Sequence, residues 1–210
     1  MVSISVPVST PLKGFTCGAV AAWQVLRFYG RRISKQQVLS LLNIKEGMNT
    51  DIPSVALALI KAGLSPTIFL YFPHVNSRIP KNPVMQVKFF YELSKKLGSP
   101  KKVNYIKKII RLLDYSIRND SVRVFFKKFT KRDIKNFLLQ GLPLITVVNS
   151  KIFSKGKLLD SSQQHILVIN GMTREDFILT STRVFTRRIR DLMNAIYAAR
   201  VPSLLVIRNG

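Results

Sequence analysis

Two side chains in this sequence have the types and order of a nucleophile and its base. Cys17 is the only cysteine in 210 residues, and His165 is one of two histidines. Thr16-Cys17-Gly18 supplies a capping hydroxyl, a thiol and a flexible residue, and the chain from Ala19 to Phe28 then carries apolar residues at helical spacing until Gly30. A thiol at a helix start meets unpaired amides and the positive end of the macrodipole, which favour thiolate. His165 opens an apolar stretch, His165 to Ile169, that reads as a strand. Together they suit general-base activation of a thiol: the imidazole takes the thiol proton and later returns it to the leaving group. The plainer use of the same residues is a buried cysteine acting as a small hydrophobe and a structural histidine. His74, beside Pro73, reads as surface or structural.

The elements that must position this pair follow from patterning. Val2, Ile4, Val6 and Val8 alternate with Ser and Pro, giving a short or edge strand that Pro11 ends. Ser34 followed by Gln37 is a capping box for a short helix. Thr50 or Asp51 caps another from Ile52 to Ala62, closed by Gly63. Thr67 to Tyr71 is a buried strand. The segment from Val84 to Lys135 is basic and helical, in pieces at residues 87–97, 103–117 and around 122–129. Thr130 caps a helix through Leu139, Gly141 stops it, and Leu142 to Val148 is a buried strand. Asn149 to Ser162 is a polar loop. His165 to Ile169 and Phe177 to Thr180 form a hairpin around residues 172–176, Asp191 to Ala199 is helical, and Ser203 to Ile207 is a last strand. Helices first and antiparallel strands later predict an α+β fold, a helical N-terminal half packed on a C-terminal antiparallel sheet. The length suits one domain over residues 1–210, with a basic helical insertion at about 84–130.

Composition narrows the function classes. Thirty-four Lys and Arg against ten Asp and Glu give a formal charge of +24, which asks for an acidic partner: nucleic acid, an anionic membrane surface, or an acidic peptide or protein. Fifteen of the cations, against four carboxylates, lie between Val87 and Lys135. Most of these are solvated faces of amphipathic helices, and the functional alternative is a basic surface that draws acidic substrate toward the pair. One cysteine excludes an internal disulfide and a cysteine-based metal cage, so neither metal nor cofactor is expected. No apolar run reaches the roughly 18 to 20 residues of a membrane span. The first residues, MVSISVPVSTPLKG, lack the layout of a secretory signal, so a cytoplasmic protein is expected.

The order of these pieces resembles the papain-like cysteine peptidases of the C39 and C39-like group, which includes bacteriocin-leader peptidases and relatives of phytochelatin synthase. The likeness rests on Cys17-Gly18-Ala19 and the close Leu26-Arg27-Phe28-Tyr29-Gly30; on the short helices at residues 34–42 and 51–63; on Gly141-Leu142-Pro143 before a strand; and on His165-Ile166-Leu167-Val168-Ile169-Asn170-Gly171. The resemblance implies a papain-like fold and a cysteine peptidase or related amide or acyl-transfer enzyme, with Cys17 as nucleophile and His165 as base. Where the family has an acidic or amide residue to orient the histidine, this sequence reads Thr180-Ser181-Thr182. If the hairpin is centred near Thr173, Ser181 lies opposite His165 and a hydroxyl replaces the carboxylate; Asn170 and Asp176 are the other nearby candidates. Where the family has an oxyanion-hole glutamine, position 11 is Pro11, leaving the Cys17 amide and the hydroxyls of Ser9, Thr10 or Thr16. These substitutions motivate the alternative, a catalytically impaired adaptor that binds nucleic acid or another anionic surface through its basic face.

Overall fold

Short runs such as LSPTIFL and SLLVIRN lack the apolar–polar alternation of a strand with one wet face, so they belong in a sheet covered on both sides. The computed structural model describes residues 1–8, 16–120, 122–153, 164–181 and 183–210 and has this architecture. In chain order the elements are β1 (Val2–Ser3), α1 (Cys17–Phe28), α2 (Lys35–Leu42), α3 (Ile52–Lys61), β2 (Leu64–Leu70), a 3-10 turn (Asn76–Arg78), α4 (Pro83–Lys95) and α5 (Pro100–Arg118). They continue as β3 (Arg123–Phe126), α6 (Lys131–Leu139), β4 (Leu144–Asn149), α7 (Ser150–Phe153), β5 (Gln164–Met172), β6 (Asp176–Thr180), β7 (Val184–Arg188), α8 (Ile189–Tyr197) and β8 (Ser203–Asn209). The fold is α+β.

The sheet runs β3-β2-β8-β4-β5-β6-β7, with β1 also on β5. All pairs are antiparallel except β2 with β3. The sheet is therefore mixed, and it draws β1 and β2 from the N-terminal half, which corrects the expectation of a purely C-terminal antiparallel sheet.

Alternation along β2 separates the two helical layers. Phe69 meets Phe129 and Phe137, and Tyr71 meets Tyr197, on the side of α6 and α8. Phe72, one residue out of phase with Tyr71, meets Phe90 of α4 on the opposite side, where α5 packs on α4 and α3. One continuous apolar cluster runs through both layers.

The local start and stop signals explain most boundaries. Ser34 and Thr130 form capping boxes, and Asp51 caps α3 by accepting the Ser54 amide at 2.8 Å. Two expectations fail: a third basic helix around residues 122–129, and a polar loop from Asn149, where Asn149 closes β4, Ser150–Phe153 form α7 and residues 154–162 lie outside the described residues. Residues 123–126 form a strand, not a third basic helix: Phe125 stacks on Phe69 at 5.2 Å while Phe126 lies against Phe90 at 4.9 Å, a two-residue period too short to read in the sequence. Because β3 is parallel to β2, the chain needs a long crossover between them, and α4 and α5 provide it. β7, with its Thr-Arg-Arg end, is a half-exposed edge strand whose polarity hides it.

Candidate active site

Cys17 is the first residue of α1, and its thiol accepts a hydrogen bond from the Ile166 amide at 3.3 Å, across 149 residues of chain. That nitrogen belongs to the peptide joining His165 to Ile166, so the sulfur lies against the backbone of the predicted base. The site exists because β6 stops early. Its last residue, Thr180, pairs with Val168, leaving the β5 residues before Val168 without a paired strand on that flank, where the thiol stands in for a ladder acceptor.

Gly18 permits this approach. An ideal Cβ there would stand 2.1 Å from Thr50 Cγ2 and 3.2 Å from Ile166 Cδ1, so any larger residue would push the helix start away from the strand and from the loop before α3. Further along α1, Tyr29 donates to the Ile207 carbonyl at 2.7 Å, tying the other end of the helix to β8. Burial pushes the Tyr29 hydroxyl up to about 12, the Arg208 charge opposing it.

The thiol is not the low-pKa group that a helix start alone predicts. Burial raises Cys17 above its ordinary value of 9.0, and the amides of Ile166, Gly18 and Cys17 itself offset only part of that. His165 is half-buried at the start of β5, and loss of solvent lowers it below its ordinary 6.5. Both groups are thus held neutral near pH 7. Among the described residues no hydrogen bond joins the Cys17 and His165 side chains; the sulfur is engaged by Ile166.

Ser181 is not opposite His165. The pairs Val168↔Thr180 and Met172↔Phe177 centre the hairpin beyond Arg174, with a bulge at Ile169/Gly171, and the register carries Ser181 toward Leu167. The expectation assumed a centre near Thr173, and a one-residue shift of centre moves the partner by two. Ser181 instead offers its carbonyl to Gln24 Nε2, seven residues along α1 from Cys17, or about 10 Å at 1.5 Å per residue. Asn170 is also committed elsewhere: its Nδ2 donates to the Ile4 carbonyl at 3.1 Å, about 16 Å along β5 from His165. Asp176 pairs with Arg188 at the far end of the hairpin.

No known protein family has a model that matches this chain, and no curated protein matches it in sequence. The chemistry at the site therefore stands on its own geometry. The Thr16 hydroxyl does not cap α1, contrary to expectation, and lies buried without a partner, as does the Thr50 hydroxyl. Ser9, Thr10 and Pro11 lie outside the described residues. Among the described residues no three His, Cys, Asp or Glu side chains gather to hold a metal. No described helix is long and apolar enough to cross a membrane. His74 is exposed.

Three participants were not singled out by sequence: Ile166, which acts through its backbone; Thr50, whose methyl covers Gly18; and Gln24, fully buried in α1. Only Gln24 carried a signal, a polar residue amid an apolar helix face. The basic segment does present its charge to solvent: α5 buries Ile106, Ile109, Leu112 and Leu113 and exposes Lys101, Lys102, Lys107, Arg111 and Arg118. Lys108 is different, reaching Asp51 at 2.8 Å and tying α5 to the start of α3 beside Thr50.

Proposed function

We propose that this chain is a cysteine peptidase or related amide or acyl-transfer enzyme with a papain-like architecture of the leader-peptidase type. The observation that supports it is the meeting of the only thiol with the peptide that joins His165 to Ile166. A helix start and a strand start far apart in sequence converge there with the residue types that acyl transfer needs. Because both groups are neutral near pH 7, the reading is general-base catalysis rather than a preformed thiolate–imidazolium pair. Cys17 Sγ attacks the substrate carbonyl carbon, and a His165 ring nitrogen takes the thiol proton. The amine leaves with that proton, and water or a second amine resolves the thioester. Amides at the start of α1 face the developing oxyanion. The exposed cations of α5 favour an acidic peptide or protein as substrate.

Mass spectrometry of an acidic peptide library incubated with the protein tests this. Wild type generates new termini or acyl-transfer products, and Cys17→Ala and His165→Ala lose them by roughly 100-fold or more. No product, or equal product from all three proteins, removes the enzyme reading.

The second reading, a catalytically impaired adaptor, is favoured by one observation: the register sets Ser181 toward Leu167 and Asp176 at the far end of the hairpin, and the Asn170 amide is bonded to Ile4, so none of the three is placed opposite His165. On that reading the basic face binds nucleic acid or another anionic surface, and affinity for a polyanion falls with log salt at a slope of about 0.9 per phosphate neutralised.

A further inference from the structure

We infer that the cleft between α4 and the segment around the 3-10 turn binds a long-chain anionic amphiphile, a single hydrocarbon chain ending in a carboxylate or phosphate. The cleft measures about 480 Å³, a volume typical of small-molecule sites. Its floor is Met85, Phe89 and Leu93, spaced four apart so that they form one stripe along α4, opposite Val75 and Pro80. Met85 is 53% exposed, so the stripe leaves apolar surface in water that an occupant would cover. From Met85 to Leu93 the helix advances about 12 Å, which makes the floor a trough rather than a pit.

The rim supplies charge. Lys88 on α4 and Lys96, which caps its end, flank the trough, and Arg78 stands on the opposing wall. Glu92 lies between the two lysines but is engaged by Lys95 at 2.9 Å. Among the described residues Arg78, Lys88 and Lys96 have no ion-pair partner. A hydrocarbon floor beneath three cations outside any ion pair, with one carboxylate that is held by Lys95, is complementary to an acyl chain with an anionic head. An extended peptide fits less well. Neither a strand edge nor a Ser, Thr, Asn or Gln side chain lines the cleft to pair with its amides, and covering an amide without a partner is unfavourable. A hydrocarbon chain brings no such groups. No lining residue belongs to α1 or β5, so the inference does not depend on the proposed enzyme activity.

Calorimetric titration of the full chain with laurate and with monododecyl phosphate, each below its micelle concentration, tests the assignment. Saturable one-to-one binding of either anion is expected, with dodecanol at least tenfold weaker. Met85→Asp, at a half-exposed position, is expected to weaken binding tenfold or more without changing the melting temperature appreciably. Arg78→Glu with Lys88→Glu does the same by reversing rim charge without touching the floor. The inference is overturned by the absence of saturable binding, by equal affinity for dodecanol, or by affinity unchanged in both variants. It is equally overturned if an acidic helical peptide binds the cleft and laurate fails to displace it, which assigns the surface to a protein partner.

Discussion

The Ile166 amide donates to the Cys17 thiol at 3.3 Å, joining the first residue of α1 to the backbone of β5 immediately after His165. In a folded chain this contact has two opposing effects. It holds the thiol against the backbone that follows His165, and burial of the sulfur disfavours the thiolate. The balance between these effects governs how Cys17 reacts.

Cys17 is the only thiol, so alkylation reads it without interference. Because burial outweighs the three amides, the rate of iodoacetamide labelling should rise with pH through a midpoint above 9.0. At pH 7 labelling should be slower than that of a model thiol. A midpoint below the ordinary value would show that the helix start, not desolvation, controls the sulfur.

His165 makes the fold acid-sensitive. Its folded value lies below the ordinary 6.5, so the folded state binds the proton less readily than the unfolded chain. The stability is fully present above about pH 6.5 and is lost as pH falls through the folded value. Melting temperature followed from pH 7.5 to 4.5 should therefore drop in wild type more than in His165→Gln, and parallel curves would show that the ring is not the responsible group. If the general-base reading holds, the same ionisation gives kcat/KM a rising limb below pH 6.5, where the wild-type ring loses its proton.

Gly18→Ala should destabilise the protein by about 1–3 kcal/mol, because its new methyl falls on Thr50 Cγ2 and close to Ile166 Cδ1. Thr50→Ser removes the methyl in the way. In a double-mutant cycle by urea unfolding, the pair Gly18→Ala with Thr50→Ser should therefore cost less than the sum of the singles. Strict additivity would mean that the two positions do not touch.

Tyr29→Phe removes the donor to the Ile207 carbonyl and should cost about 1 kcal/mol by chemical denaturation. In wild type the tyrosine also contributes a pH dependence. Its hydroxyl is raised to about 12, so its stabilisation is complete below pH 10 and fades as pH climbs through 12. The variant should lose less stability than wild type in a melting series from pH 9 to 12, the remainder coming from other tyrosines that burial raises, such as Tyr197.

Local chemistry was readable without the fold. Ser34, Asp51 and Thr130 begin helices because a side-chain oxygen within three residues satisfies their first amides, and that interaction needs nothing distant. The buried strands β2, β4 and β8 announce themselves by short runs dominated by apolar, β-branched and aromatic residues. By contrast, β3 and β7 lie at the two edges of the sheet, half-exposed and basic, and their pairing depends on partners far away in the chain.

The sequence by itself determined the residue types at the site, Cys17 at a helix start and His165 at a strand start, and the apolar periodicity that makes an α+β fold. Only the tertiary structure decided what those residues experience. A two-residue difference in hairpin register takes Ser181 away from His165 and gives its carbonyl to Gln24, because side chains in a strand pair are set by where the turn is centred. The protonation of the thiol is likewise a balance between the amides of Cys17, Gly18 and Ile166 and the solvent lost on burial. Burial is a property of the packed elements together, so no stretch of sequence carries it alone.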